Sequence, residues 1–280
     1  MTVYEYIRMQ SYYYKELIMR RSEDQKMERL GEERLNKQGC LMKIVEYNKA
    51  DDIEVEFQDK YKVIVHTNYT QFCEGVVKNP YFPSVFRFGK IGQKYPVSIN
   101  KKAIKEYDAW RSILIRCFDE REKEKHHTYR NATCCEEWLL YENFYEWLHS
   151  QNNFDKWLNG RLWAIDKDIL IKGNKVYAPN TCCLVPDNVN KLFTKSDSAR
   201  GNLLIGVRRC GDKFQARCKN PFIGQLEHLG TYSIIEDAFS AYKKRKEEII
   251  KLVAKDEFNK GNIIKECYDA MINYKVEITD

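Results

Sequence analysis

The sequence predicts a multidomain α+β protein: an N-terminal helix with a small antiparallel β module, a central ββα unit, and a C-terminal three-stranded sheet packed on a helix. Helical spacing of apolar residues gives way to short alternating segments near residue 40, which predicts the first module. A strand, turn, strand and helix pattern covers residues 162–193. A hairpin, a third strand and one long amphipathic stretch occupy residues 201–255. A chain of 280 residues is long enough for two or three such domains.

Residues 1–95 form the predicted N-terminal module. Residues 1–39 have helical spacing and few breakers, which predicts one helix or two helices that meet near Ser22. Three short strands follow and indicate a small antiparallel barrel or a meander. They cover residues 42–47, 53–57 and 61–65. The order of residues 29–33, 42–47, 52–57 and 77–80 resembles a module of phage and mobile-element proteins, to which we assign no activity. Residues 80–102, with several Pro and Gly, are the predicted linker.

Residues 96–195 form the predicted central domain. Residues 105–147 carry aromatic side chains at spacings of three and four, which is typical of a helical core. The predicted ββα unit follows. It consists of a strand at residues 162–170, a turn at Gly173-Asn174, a return strand at residues 176–177 and a helix at residues 187–193. Acidic residues on its first strand and Asn on its helix are hard oxygen ligands that suit one divalent ion and phosphodiester cleavage.

Residues 107–193 resemble the HNH-type homing endonucleases of phage and mobile elements. The matching pieces are Tyr107-x-x-Trp110, Arg116-Cys117, Cys135-x-x-Trp138, Ile165-Asp166, Tyr177-x-Pro179 and an Asn on the last helix. The resemblance implies a Mg²⁺ or Mn²⁺ site at Asp166 and at Asn190, with Asn188 as the second choice. Thr181 stands where the family has a further Asn.

Lys167 stands where the HNH resemblance implies a His that acts as general base. A Lys near its ordinary pKa of about 10.4 is protonated at neutral pH and cannot accept a proton unless burial lowers that pKa. Asp168 is then the candidate base or second metal ligand, and Lys167 can stabilise phosphate charge. The alternative is a degenerate fold that has lost catalysis and is kept for DNA binding.

Composition restricts the class of protein. Hydrophobic residues make up 43% of the chain, which excludes wholesale disorder, and no apolar run approaches the roughly 20 residues that span a membrane. We therefore expect an intracellular, cytoplasmic protein, in the host cytoplasm if it is phage-encoded. For the ten Cys we expect buried free thiols rather than a structural zinc site, because no Cys-x-x-Cys spacing is present.

Residues 196–255 form the predicted C-terminal domain. Its hairpin has Phe214, Ala216 and Cys218 on one face and polar residues on the other. Ser233 and Glu236 form a predicted capping box, from which an amphipathic helix runs to residue 253 and covers the apolar face. The tail, residues 256–280, is predicted to add a final helix.

Positive charge is concentrated on the polar face of this hairpin. Between residues 200 and 219 there are six basic residues and one acid, Asp212, although the whole chain has a net charge of only +6. The basic residues are Arg200, Arg208, Arg209, Lys213, Arg217 and Lys219. A cationic ribbon of this kind can enter the major groove of double-stranded DNA. An ordinary solvated sheet face is the alternative.

The same residues resemble the APETALA-two/ethylene-response-factor DNA-binding domain. The matching pieces are Gly206-Val207-Arg208, Phe214-x-Ala216, Leu229-Gly230-Thr231-Tyr232, Glu236-Asp237-Ala238 and Ala241-Tyr242. The family often has Trp at the position of Phe214. The resemblance implies that the outward positions contact DNA. These are Arg208, Arg209, Gln215, Arg217 and His228, and charge adds Lys213 and Lys219.

Two functions remain open at this point. The first is a sequence-directed DNA endonuclease, in which the C-terminal sheet finds the site and the central domain nicks or cuts nearby with Mg²⁺ or Mn²⁺. The second is a catalytically inactive DNA-binding regulator, or an inhibitor of another DNA-acting machine such as a phage counter-defence protein. The residues do not indicate an oligomeric state.

Overall fold

A computed structural model describes residues 3–194, 203–278 and 280. Helix and sheet are mixed, which confirms the α+β class in its coarse sense. The chain divides into two compact units, Met1–Gln93 and Lys94–Asp280. Among the described helices, none is long and apolar enough to cross a lipid bilayer.

The first unit is a helix followed by an antiparallel meander. Its elements are α1 (Val3–Arg29), β1 (Glu33–Leu35), β2 (Leu41–Lys49), β3 (Asp52–Phe57), β4 (Ile64–Thr67) and α2 (Tyr69–Cys73). The strands pair in the order β1-β2-β3-β4, so the sheet is an open meander and not a barrel. Apolar side chains of β2 and β3 form its core, among them Ile44, Val55 and Phe57, together with Phe72 of α2.

Two boundaries of this unit were predicted wrongly. α1 is continuous through Ser22 and ends at Arg29, ten residues before the predicted end, because Gly31 has a φ of +85° and its N–H bonds to the Ile44 carbonyl of the sheet. The last strand begins at Ile64 because the Asp59 carboxylate accepts the Tyr61 N–H and extends the turn.

The second unit contains the remaining elements. The helices are α3 (Lys105–Phe118), α4 (Glu120–Lys125), α5 (Tyr141–Ser150), α6 (Phe154–Asn159), α7 (Asp187–Phe193), α8 (Ile235–Asn259) and α9 (Lys265–Ile272), with 3-10 turns at His127–Tyr129 and Glu137–Leu139. The strands are β5 (Ser98–Ile99), β6 (Lys102–Ala103), β7 (Thr133–Cys134), β8 (Trp163–Asp166), β9 (Val176–Tyr177), β10 (Cys183–Pro186), β11 (Val207–Cys210), β12 (Lys213–Asn220) and β13 (Gln225–Tyr232).

Aromatic side chains of α3 and α5 form a core, as their spacing predicted. Trp110, Trp138 and Phe144 are fully buried. The Trp110 indole N–H donates to the Trp138 carbonyl at 2.7 Å, which satisfies a polar atom that burial would otherwise leave unpaired. The rings of Trp138 and Phe144 meet edge to face.

The ββα unit exists, but its second strand is not the predicted one. β8 pairs antiparallel with β10, whereas β9 pairs in parallel with β7 of the preceding segment. β10 is a run of buried apolar residues, Cys183, Leu184 and Val185, which can complete a two-stranded sheet inside the core. α7 then begins directly after β10, with the predicted bounds.

The C-terminal sheet has the order β11-β12-β13 and packs on α8, as predicted. The predicted capping box is wrong: α8 begins at Ile235, and its N-cap Ile234 makes no side-chain hydrogen bond. Glu236 and Asp237 instead lie in the first turn, where negative charge is favourable to the helix dipole. α8 continues to Asn259, and the tail helix is the short α9.

Gly206 is required where β11 meets α8. Its φ is +74°, and a Cβ on this residue would lie 2.0 Å from Cδ2 of Tyr242. We expect Gly206→Ala to lower the free energy of unfolding by at least about 3 kcal/mol, since backbone strain and overlap with a buried ring add. Urea denaturation measures this loss.

Gly211→Ala is the matched control for this substitution. Gly211 also has a positive φ, +59°, but no atom lies within 4 Å of its added Cβ. Gly211→Ala should lower the free energy of unfolding by only about 1–2 kcal/mol, because backbone strain is its only cost. Equal losses at both positions would show that contact with Tyr242 is not what makes Gly206 necessary.

Candidate functional site

A cleft of about 560 Å³ lies in the second unit between α3, α7 and the β8 strand with the loop that follows it. Of the residues predicted for the metal and catalytic site, Asp166, Lys167, Asp168 and Asn190 all line it. Further polar residues share the wall. They are Lys105, Asp108, Ser112, Arg116, Thr128, Tyr129, Lys175, Tyr177 and Thr194. The structure therefore gathers the predicted residues into one concave surface.

Asp166 is placed by its own backbone. It is the last residue of β8, and its Oδ1 accepts the N–H groups of Asp168 and Ile169, both at 2.8 Å. This local turn reverses the chain and brings the Asp168 side chain beside that of Asp166. Burial first, and then the charge of Asp168, raise the pKa of Asp166 to about 6. Two carboxylates held together in this way favour a shared proton or a cation.

Lys167 does not provide a free base. Its side chain is buried, with 8% exposed, and its Nζ lies 3.2 Å from Oδ2 of Asp168 and 5.7 Å from the ring centre of Tyr177. Among the described residues that line the cleft there is no histidine. Lys167 can therefore position Asp168 or balance anionic charge.

Arg116 and Lys175 place positive charge in the same cleft, and the sequence analysis gave neither a role. Arg116 donates from Nη1 to the Tyr177 hydroxyl at 3.2 Å and stacks over the ring of Tyr129. No carboxylate in residues 3–194, 203–278 and 280 forms an ion pair with Arg116. The sequence signal was weak: Arg116 interrupts the otherwise buried run of Ile113, Leu114 and Cys117.

α7 presents Asn190 and not Asn188 to the cleft. The Asn188 amide instead donates to Oε1 of Glu257 on α8 at 2.8 Å. Thr181, at the position where the HNH resemblance implies Asn, donates its hydroxyl to the Val176 carbonyl at 2.7 Å and supports the loop.

The donor set of the cleft fits Mg²⁺ or Mn²⁺. Asp166 and Asp168 offer carboxylate oxygens and Asn190 offers an amide oxygen. In the described part of the chain no three His, Cys, Asp or Glu side chains come together as a metal cluster. Mg²⁺ does not require one, because it is commonly held by one or two carboxylates with water and substrate phosphate.

The cysteines next to the cleft are neutral. Cys134 lies near Cys117, Cys135 and Cys182, and burial raises the pKa of Cys117 and of Cys182 to about 12. All ten Cys are free thiols in the structure.

The polar face of the C-terminal sheet is exposed and cationic. Cross-strand partners share a face, so the pairs Arg208–Gln215, Arg217–His228 and Gln215–Thr231 lie on the side away from α8. Side chains alternate along β12, which places Lys213 and Lys219 on this same side. We call these residues the basic face: Arg208, Lys213, Gln215, Arg217, Lys219 and His228. Arg200 lies outside the described residues.

Arg209 is not on the basic face, contrary to the prediction. It pairs with Phe214, and its guanidinium carbon lies 5.6 Å from the centre of that ring. Phe214 packs against the core under α8. Adjacent strand residues point to opposite sides, so Arg208 and Arg209 cannot both face outward. Arg209 is exposed at the edge of the sheet.

No described carboxylate neutralises the basic face. Within residues 3–194, 203–278 and 280, none forms an ion pair with Arg208, Lys213, Arg217 or Lys219. The acid of the neighbouring strand, Glu227, points to the other side and binds Arg245 of α8 at 2.7 Å. That contact lowers the pKa of Glu227 to about 2. Within the described residues, the positive charge of the basic face is therefore not balanced by an ion pair.

One hydrophobic core supports both the cleft and the basic face. It extends from Ile169, Cys183 and Val189 to Ala216 and Ile250. The two features are consequently held in a defined relation inside the second unit. No family model, curated protein or solved structure matches this chain.

Proposed function

We propose that this chain binds double-stranded DNA through the basic face and hydrolyses a phosphodiester bond in the cleft with a divalent metal. The observation that carries the proposal is the shared core, which joins a cationic sheet without ion pairs to the described carboxylates to a cleft that contains paired carboxylates. DNA binding is supported by the alternation of β12, which puts Lys213, Gln215, Arg217 and Lys219 on one surface.

Asp166 and Asn190 are the residues that would hold the metal, and Asp168 would serve either as a further ligand or as the general base. When bound, it would supply Lewis-acid polarisation of the phosphate and stabilise the leaving oxygen. Arg116 and Lys175 lie in the same cleft and bind phosphate oxygens in this proposal. Lys167 holds Asp168 in place through its 3.2 Å contact. Asp168 is the residue that accepts a proton from water if it is not a metal ligand.

The second candidate is a DNA-binding regulator, or an inhibitor of a DNA-acting machine, built on the same scaffold. The specific observation in its favour is that the described residues lining the cleft include no histidine, while Lys167 is engaged with Asp168. In this candidate the basic face still binds DNA, but the cleft does not hydrolyse it.

A plasmid assay separates the two candidates. Supercoiled plasmid is incubated with Mg²⁺ or Mn²⁺ and either the wild type or Asp166→Ala. We expect metal-dependent nicking by the wild type and at least a hundredfold slower nicking by the variant, because a metal ligand is lost. Duplex binding without nicking would instead favour the regulator. If the wild type does not bind a duplex at all, both candidates are wrong.

A further inference from the structure

A second cavity, of about 470 Å³, lies where the basic face meets α7. Its wall includes the β12–β13 turn at Pro221 and Gly224, the start of α7 and one residue of α8, Lys246. Three lysines line it and one acid does. The lysines are Lys191, Lys219 and Lys246, and the acid is Asp187. The acid is already paired, since its Oδ2 lies 2.5 Å from Nζ of Lys191.

Lys246 is the unexplained residue of this cavity. It occupies the inward stripe of α8 between Tyr242 and Ile249, where the other side chains build the core. Burial lowers the pKa of its ammonium group, and the thiol of Cys218 opposes this shift. No described carboxylate forms an ion pair with it. A half-buried ammonium group whose charge no described carboxylate balances costs stability, and an anion bound in the cavity would offset that cost.

The position of the cavity indicates which anion. Lys219 belongs to both the basic face and the cavity wall. On α7, Lys191 lines this cavity while the adjacent Asn190 lines the cleft. β12 and α7 thus connect the cavity to the basic face and to the cleft, respectively.

We infer that Lys246, with Lys191 and Lys219, binds a backbone phosphate of the DNA between the basic face and the cleft. This inference rests on the proposed DNA binding. It adds a contact from the helix beneath the sheet, which the resemblance of the sheet to a DNA-binding domain does not imply. The cavity then accounts for both the buried ammonium group and the excess of lysines around it.

The test compares Lys246→Met with Lys251→Met, an exposed lysine on the same helix, in the full chain. Duplex affinity is measured from about 50 to 200 mM salt, and thermal melting is measured without DNA. Lys246→Met should bind about three- to tenfold more weakly and show a salt slope smaller by about 0.9, the value of one phosphate contact. Its Tm should be unchanged or higher, because an unpaired buried charge is removed. Lys251→Met should match the wild type.

Further outcomes distinguish a failure of this inference from a failure of the proposed function. Lys246→Arg retains the charge and should bind within about twofold of the wild type. Equal affinity of Lys246→Met and wild type at every salt concentration overturns the inference while duplex binding stands. If inorganic phosphate raises the Tm of the wild type but not of Lys246→Met, with equal duplex affinities, the cavity takes a free anion and the DNA assignment is wrong. Absence of duplex binding by the wild type refutes the proposed function itself.

Discussion

Replacing Arg208 and Arg217 together with Ala should weaken duplex binding by more than tenfold and reduce its salt dependence. Both side chains lie on the basic face, and neither is ion-paired to a described carboxylate. Each phosphate contact contributes about 0.9 to the slope of log affinity against log salt, so two lost contacts should lower it by nearly two. A loss confined to one DNA sequence would instead indicate contacts with base edges. Fluorescence anisotropy over a salt series measures both quantities.

Lys244→Ala with Lys251→Ala is the matched control, because both lysines are exposed on α8 away from the sheet. It removes the same formal charge and should leave affinity within about twofold of the wild type. The Arg208 and Arg217 side chains make no stabilising ion pair among the described residues, so the Tm should change little in either variant. Equal loss of affinity in the control would move the contact surface off the basic face.

Asp166→Asn should make the protein more stable at pH 8 and less sensitive to pH. The pKa of Asp166 is about 6 in the folded chain against an ordinary value of 3.8. The folded state therefore binds the proton more tightly than the unfolded state, and stability falls as pH rises from about 4 through 6. The penalty above pH 6 is about 2–3 kcal/mol, which Asn avoids while its Oδ1 still accepts the two backbone N–H groups. Chemical denaturation at pH 4, 6 and 8 measures it.

Mg²⁺ should raise the Tm of the wild type at pH 8 and leave that of Asp166→Asn unchanged. A cation relieves the repulsion between Asp166 and Asp168, and the variant has lost one of these charges. Asp155→Asn serves as the control because this carboxylate is exposed and lies outside the cleft. An equal Mg²⁺ shift in all three proteins would place the metal elsewhere, and equal stability of wild type and Asp166→Asn at pH 8 would contradict the burial argument.

Local pattern was sufficient for several elements. The alternation of Phe214, Ala216 and Cys218 predicted β12 and its buried face, and the start and end of α7 were predicted correctly. Such elements depend on side-chain period and on the neighbouring turn, both of which are visible in a short window of sequence. The end of α1 could not be predicted from such a window, because it depends on a hydrogen bond between Gly31 and Ile44, thirteen positions later.

The candidate site was predictable only in part. The short segment 166–168 and Asn190 could be chosen from residue type and order, and they do share a cleft. Arg116 and Lys175 come from α3 and from a loop, and only their packing beside β8 brings them to the same wall. Arg209 was predicted to contact DNA from its residue type. Strand register instead places it on the same side of the sheet as Phe214.

By itself the sequence determined the α+β class, the hairpin with its cationic side, the helix after β10, and the acidic residues Asp166 and Asp168 at and just beyond the end of β8. Only the tertiary structure decided that β10 and not β9 pairs with β8, that one core joins the cleft to the basic face, and that Lys246 is half-buried without a described acidic partner. The physical reason is range. Periodicity and turn chemistry act between neighbours in sequence, whereas strand pairing, desolvation and charge pairing depend on residues that only folding brings together.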